Sequence, residues 1–135
     1  MAAAPTTFWD DLVEDLLDPD FLRAYVVESY RIETIDRLVN ALDDARVSSG
    51  LSKADLARAI NAEPAVIRRL LSSGHGNPTI GTLAEVAAAL GLRLTLEPLS
   101  PDERADVIEP LRTGRSIDRE RLVRLLQIKR QRAVS

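Results

Sequence analysis

Across residues 8–17, apolar side chains at Phe8, Leu12, Val13, Leu16 and Leu17 recur at helical spacing, with Asp10, Asp11, Glu14 and Asp15 on the other side. This predicts a short acidic amphipathic helix. Asp18-Pro19-Asp20 breaks it, and Asp18 ahead of Pro19 is a cap-then-proline signal that starts a second helix through Phe21, Leu22, Tyr25 and Val26. A further helix is predicted over 33–47, where Ile35, Leu38, Val39, Leu42 and Ala45 share one stripe that Ser48-Ser49-Gly50 terminates. Ser52 then reads as an N-cap, with Asp55 in the Glu position of a capping box and Leu56, Ala57 and Ile60 facing inward.

Asn61 tolerates the left-handed conformation that a tight turn between helices needs. Pro64 suits a first helical turn, and Val66, Ile67, Leu70 and Leu71 give the next helix an apolar face beside Arg68 and Arg69. Two short helices joined by about three residues are the helix-turn-helix pattern. After a loop over 72–78, Thr79 caps a helix carrying Ile80, Leu83, Val86, Ala87 and Leu90, which Gly91 stops. Leu92-Arg93-Leu94-Thr95-Leu96 alternates with period two and is expected to be one short strand, paired with a second subunit because a lone strand cannot satisfy its own backbone. Pro98, Pro101 and Pro110 mark a linker with at most a short helix over 102–108, and 117–131 reads as a basic C-terminal helix. Its leucines (Leu122, Leu125, Leu126) lie on one side, leaving its arginines free for DNA or its leucine face for dimerisation.

Composition narrows the class. A chain of 135 residues with 4% aromatics favours one compact all-α domain with extensions. The absence of cysteine excludes disulfides and thiolate zinc sites. A cytoplasmic protein with no cofactor is expected, since no apolar run spans a bilayer and no cationic leader opens the chain. The net charge of −3 is unevenly spread: residues 1–50 hold 4 basic and 11 acidic side chains, residues 98–135 hold 9 and 6. The expected domains are an acidic helical extension (1–30), a helix-turn-helix domain with its terminal strand (31–97), and a linker with the basic helix (98–135).

The run Leu-Ser-Lys-Ala-Asp-Leu-Ala at 51–57, Ile-Arg-Arg-Leu-Leu at 67–71, Asn-Pro-Thr at 77–79, Thr82-Leu83 and Ala-Ala-Ala-Leu-Gly at 87–91 resemble the core of the Cro/C1-type (Xre) family. The resemblance covers about a third of the chain. It implies a lambda-repressor-like bundle, with Ser52 and its helix across the DNA backbone and 63–72 in the major groove of double-stranded DNA, acting as a homodimer. Lys53 then meets phosphate. Pro64 and Ala65 stand where the family often has polar base readers, which leaves Ala65 or Val66 to touch a thymine methyl and Arg68 to bond guanine or phosphate. Arg69 serves DNA or an intrachain acid, Ser72 ends the reading helix, and Glu63 either accepts from cytosine or caps its own helix, the favoured reading. His75, Asn77 and Thr79 lie in a loop laid along phosphate in this family; Asn77 and Thr79 can equally cap the next helix, and His75 can be plainly exposed.

The expected function is that of a sequence-specific transcriptional regulator acting as a repressor. The Asp-Pro-Asp-Phe segment at 18–21, followed by this domain and a leucine-alternating strand, is also similar to HigA-like antitoxins, which implies a toxin protein as partner and repression of the shared operon. A pure interaction module without DNA binding is the third class. Catalysis is not expected: there is one histidine, and Gly74-His75-Gly76 lacks the preceding strand and final glycine of a dinucleotide loop.

Overall fold

The computed structural model describes residues 3–72 and 77–134. They form α1 (Ala3–Asp15), α2 (Pro19–Ser48), α3 (Lys53–Ala59), α4 (Pro64–Leu70), α5 (Ile80–Ala89), α6 (Pro101–Thr113) and α7 (Arg119–Val134). Among the described residues there is no strand. The chain divides into a central unit, Thr34–Leu96, and a terminal unit made of Met1–Glu33 together with Glu97–Ser135.

In the terminal unit the amphipathic faces of four helices share one core: Leu12 and Leu16 from α1 and its end, Leu22 and Val26 from α2, Val107 from α6, and Leu122, Val123 and Leu126 from α7. The two flanks of the chain, acidic in front and basic behind, are therefore one folding unit. The leucine face of α7 is covered within the chain, so it is not the dimer surface that its pattern suggested. Several of its cations are engaged too: Arg119 donates to the Val13 carbonyl at 3.0 Å, Arg121 pairs with Asp106 at 3.1 Å, and Arg130 donates to the Ser29 hydroxyl while lying over the Tyr25 ring, whereas Arg124 is exposed.

Lys129 is the most buried of these cations. Its Nζ lies 2.8 Å from Glu33 and 2.5 Å from Glu103, with 8% of the side chain exposed, and rests over the Tyr30 ring. Tyr30 donates its hydroxyl to Glu103 at 2.7 Å. Burial and that bond push its hydroxyl well above its ordinary pKa, so it stays a donor. The cluster joins α2, α6 and α7 around one cation.

Three expectations are corrected. The helices foreseen at 21–26 and 33–47 are one helix, α2, whose inward stripe passes through buried Ser29, Glu33 and Asp36. Polar residues at core positions interrupt the apolar period while the backbone continues, since neither glycine nor proline intervenes. The linker is a full helix through Thr113: Pro110 removes one backbone donor but is buried, and Arg23 caps the end by donating to the Leu111 carbonyl at 3.2 Å and the Arg112 carbonyl at 3.4 Å. The strand at 92–96 is absent. Residues 92–100 have no regular structure because an isolated segment has no ladder to join, and Leu94 alone of the alternating leucines packs on the central core.

The central core collects Leu42 from α2, Leu56 and Ala57 from α3, Ile67 and Leu70 from α4 and Leu71 just beyond it, and Leu83, Val86 and Ala87 from α5. This is the helix-turn-helix bundle that the 3.6-residue periodicity predicted.

Replacing Lys129 with methionine removes the cation that Glu33 and Glu103 share in the terminal core. The variant is expected to lose about 3–5 kcal/mol, the usual cost of breaking a buried pair from one side. Urea unfolding followed by circular dichroism checks this; an unchanged midpoint contradicts it.

Candidate nucleic-acid interface

Ser52 starts α3 by accepting from the Asp55 N–H at 3.0 Å, while the Ser52 N–H donates to the Asp55 carboxylate at 3.0 Å. Both halves of the capping box are present. The Ser52 N–H, then its hydroxyl and the Arg58 guanidinium, hold the Asp55 carboxyl below the usual range. Arg46, a residue the sequence pattern did not single out, steadies the approach to this cap. It pairs with Asp43 at 2.9 Å and donates to the Leu51 carbonyl at 2.8 Å. A basic residue in the last turn of a helix is the signal that marks it.

α3 ends in a Schellman motif. Asn61 takes φ +55°, its N–H reaches the Arg58 carbonyl at 3.2 Å, and the Ala62 N–H reaches the Ala57 carbonyl at 2.8 Å. The chain turns at once into α4, with Pro64 in the first turn. Glu63 stands at the N-cap position but its side chain makes no capping bond, so the favoured capping reading is corrected. Its backbone carbonyl alone accepts, from the Val66 N–H at 2.9 Å; the proline after it restricts Glu63 to extended backbone.

On α4, Ile67 and Leu70 face the core and are buried. Ala65, Arg68, Arg69 and Ser72 follow at i, i+3, i+4 and i+7 and are all exposed, so they form one outward stripe. Val66 is half-buried at its edge. Neither Arg68 nor Arg69 has an ion pair or side-chain hydrogen bond among the described residues, so no intrachain acid holds Arg69. The Ser72 hydroxyl donates to the Arg68 carbonyl at 2.7 Å, finishing the helix. Lys53 is exposed in the first turn of α3 and likewise has no partner among the described residues. Arg58, by contrast, is paired with Asp55.

Thr79 caps α5, its hydroxyl oxygen accepting from the Thr82 N–H at 3.1 Å. Asn77 is exposed and makes no cap. His75 lies outside the described residues, as does the Gly74-His75-Gly76 run. The structure thus brings Ala65, Arg68, Arg69 and Ser72 onto one face, sets Val66 at its margin, and gives Ser52 and Thr79 over to capping.

Residues 42–96 match the helix-turn-helix family. The motifs that resemble the Cro/C1 type fall inside this segment. Neither a curated protein nor a solved structure matches the chain. No helix among the described residues is long and apolar enough to cross a membrane.

The turn at Asn61 yields a paired outcome. Asn61→Gly is expected to leave stability unchanged or raised, whereas Asn61→Val is expected to lose roughly 1–2 kcal/mol, the penalty for a Cβ-branched residue in left-handed backbone. Thermal denaturation of both variants tests this, and equal melting points for the two contradict it.

Proposed function

We propose that the chain is a sequence-specific transcriptional repressor that works by binding and not by catalysis. The observation that carries this reading is the outward stripe of α4, where two unpaired guanidinium groups flank an apolar edge on the second helix of the motif. With α4 in the major groove, Arg68 is placed to bond guanine O6 and N7, and Ala65 or Val66 to meet a thymine methyl. Lys53 and Asn77 are the phosphate contacts. Pro64 supplies no hydrogen bond to bases, so recognition is carried by few positions.

Fluorescence anisotropy against the DNA upstream of the chain's own gene, beside a scrambled duplex, tests the reading. Preferential binding that persists at raised salt is expected. The Lys53→Ala, Arg68→Ala double variant should weaken it by tenfold or more and flatten the salt slope by roughly one unit for each cation taken off a phosphate. Identical binding to both duplexes, unaffected by the double change, sinks the reading in favour of an interaction module.

The repressor acts as a homodimer on two half-sites, the arrangement that the Cro/C1 resemblance implies. Sedimentation of the purified chain tests this, and a monomer at every concentration excludes it.

The terminal unit, which lies wholly outside the matched segment, favours a second role as an antitoxin. Phe8, Leu17 and Phe21 are exposed among Asp10, Asp11, Asp18 and Asp20, a surface suited to a basic protein such as a toxin. Co-purification of a neighbouring gene product through this unit tests it.

A further inference from the structure

We propose that the cavity in the central unit between α2, α4 and the start of α5 binds a small apolar carboxylate that loosens the grip on DNA. The cavity has a volume of about 260 Å³. Ile35 and Val39 of α2, with Val66 and Leu70 of α4, give it an apolar floor. Among the described residues no Asp or Glu lines its polar rim.

The hydroxyls on that rim are already used. Thr79 accepts from the Thr82 N–H and shares a 2.9 Å bond with the Thr82 hydroxyl. Ser72 donates to the Arg68 carbonyl. What remains is the Arg69 guanidinium and the Asn77 amide, neither with a partner among the described residues. Two donors over an apolar floor match an anion attached to a hydrocarbon body, and a planar guanidinium matches a carboxylate in two-point contact. A volume just below the ~300–1,000 Å³ usual for small-molecule sites selects a single ring or a branched chain with one carboxylate. A bare inorganic anion leaves the floor uncovered, and a neutral amide leaves Arg69 without its counter-charge.

Both Val66 and Arg69 belong to α4, so the occupant takes Arg69 away from DNA. This regulatory half rests on the DNA-binding reading above; the binding half does not.

The test titrates the ¹⁵N-labelled full chain with benzoate and 4-methyl-2-oxopentanoate, and in parallel with benzamide and inorganic phosphate. Saturable amide shifts confined to 35–39, 66–70 and 77–82 are expected with the carboxylates and not with the two controls. Ile35→Phe, which fills the cavity, should abolish them. Should that variant fail to fold, Arg69→Gln, altered at an exposed site, should weaken carboxylate binding at least tenfold. No shifts with either carboxylate, an equal response to benzamide or phosphate, or an indifferent Arg69→Gln overturns the site. In the anisotropy assay, saturating benzoate should weaken DNA binding severalfold and lower the salt slope by about one. Carboxylate binding with unchanged DNA affinity overturns the regulatory half. Failure of the unliganded chain to bind DNA counts against the repressor reading and leaves the shift data standing.

Discussion

The direction in which α4 leaves α3 rests on one residue in left-handed backbone. With Asn61 at φ +55°, the Ala62 N–H folds back on the Ala57 carbonyl and four residues suffice to reverse the chain. That reversal is what lets Ile67 and Leu70 join Leu56 and Ala57 in one core while Ala65, Arg68 and Arg69 face out. The same backward bond closes α2, from Leu51 to Arg46, and α5, from Leu92 to Ala87, with Gly50 and Gly91 in the left-handed position. Only at the motif's own turn does a side chain occupy it. Asparagine is the residue that bears this conformation with little penalty, so the turn keeps its shape without the added backbone freedom of glycine.

The terminal unit solves a different problem. Glu33 and Lys129 are buried charges, and isolated they are expensive to hold out of water. Here one cation meets two carboxylates, one of which also takes the Tyr30 hydroxyl, so the desolvation of each group is offset by a specific partner. Apolar residues of the same volume would give equal or greater stability. What the ionic cluster adds is registry: Lys129 satisfies both carboxylates at only one rotation of α7 against α2 and α6.

Legibility in the sequence followed the range of the signal. The capping box at Ser52, the proline at 64, the left-handed Asn61 and the cap at Thr79 are local chemistry, and each took the form its residues implied. The continuity of α2 was hidden because Ser29, Glu33 and Asp36 sit where a core stripe should be apolar, and Ser29 and Glu33 find partners about 100 residues away in Arg130 and Lys129. The joining of the two flanks was invisible for the same reason. At 92–96 the alternation was real but incomplete as a cause: period two sets which faces side chains take, whereas a strand also needs a neighbour for its backbone. On α4 the pattern showed which residues point outward, but not that Arg68 and Arg69 lack intrachain partners; only the packed structure places the acids elsewhere.

The net charge of −3 is likewise unevenly placed in the fold. The chain's acidity belongs to the terminal unit, which carries 11 basic and 15 acidic side chains, while the central unit carries 7 and 6. Within the central unit, Arg46 and Arg58 are bound to Asp43 and Asp55, so those acids are matched before any ligand arrives. Lys53, Arg68, Arg69 and Arg93 remain outward and unmatched among the described residues. Affinity for a phosphate backbone scales with the cations that replace counterions, not with the sum over the polypeptide. So few cations per domain set a shallow salt dependence on the proposed reading. Further affinity then has to come from base contacts on α4, which is where the identity of Arg68 bears on it.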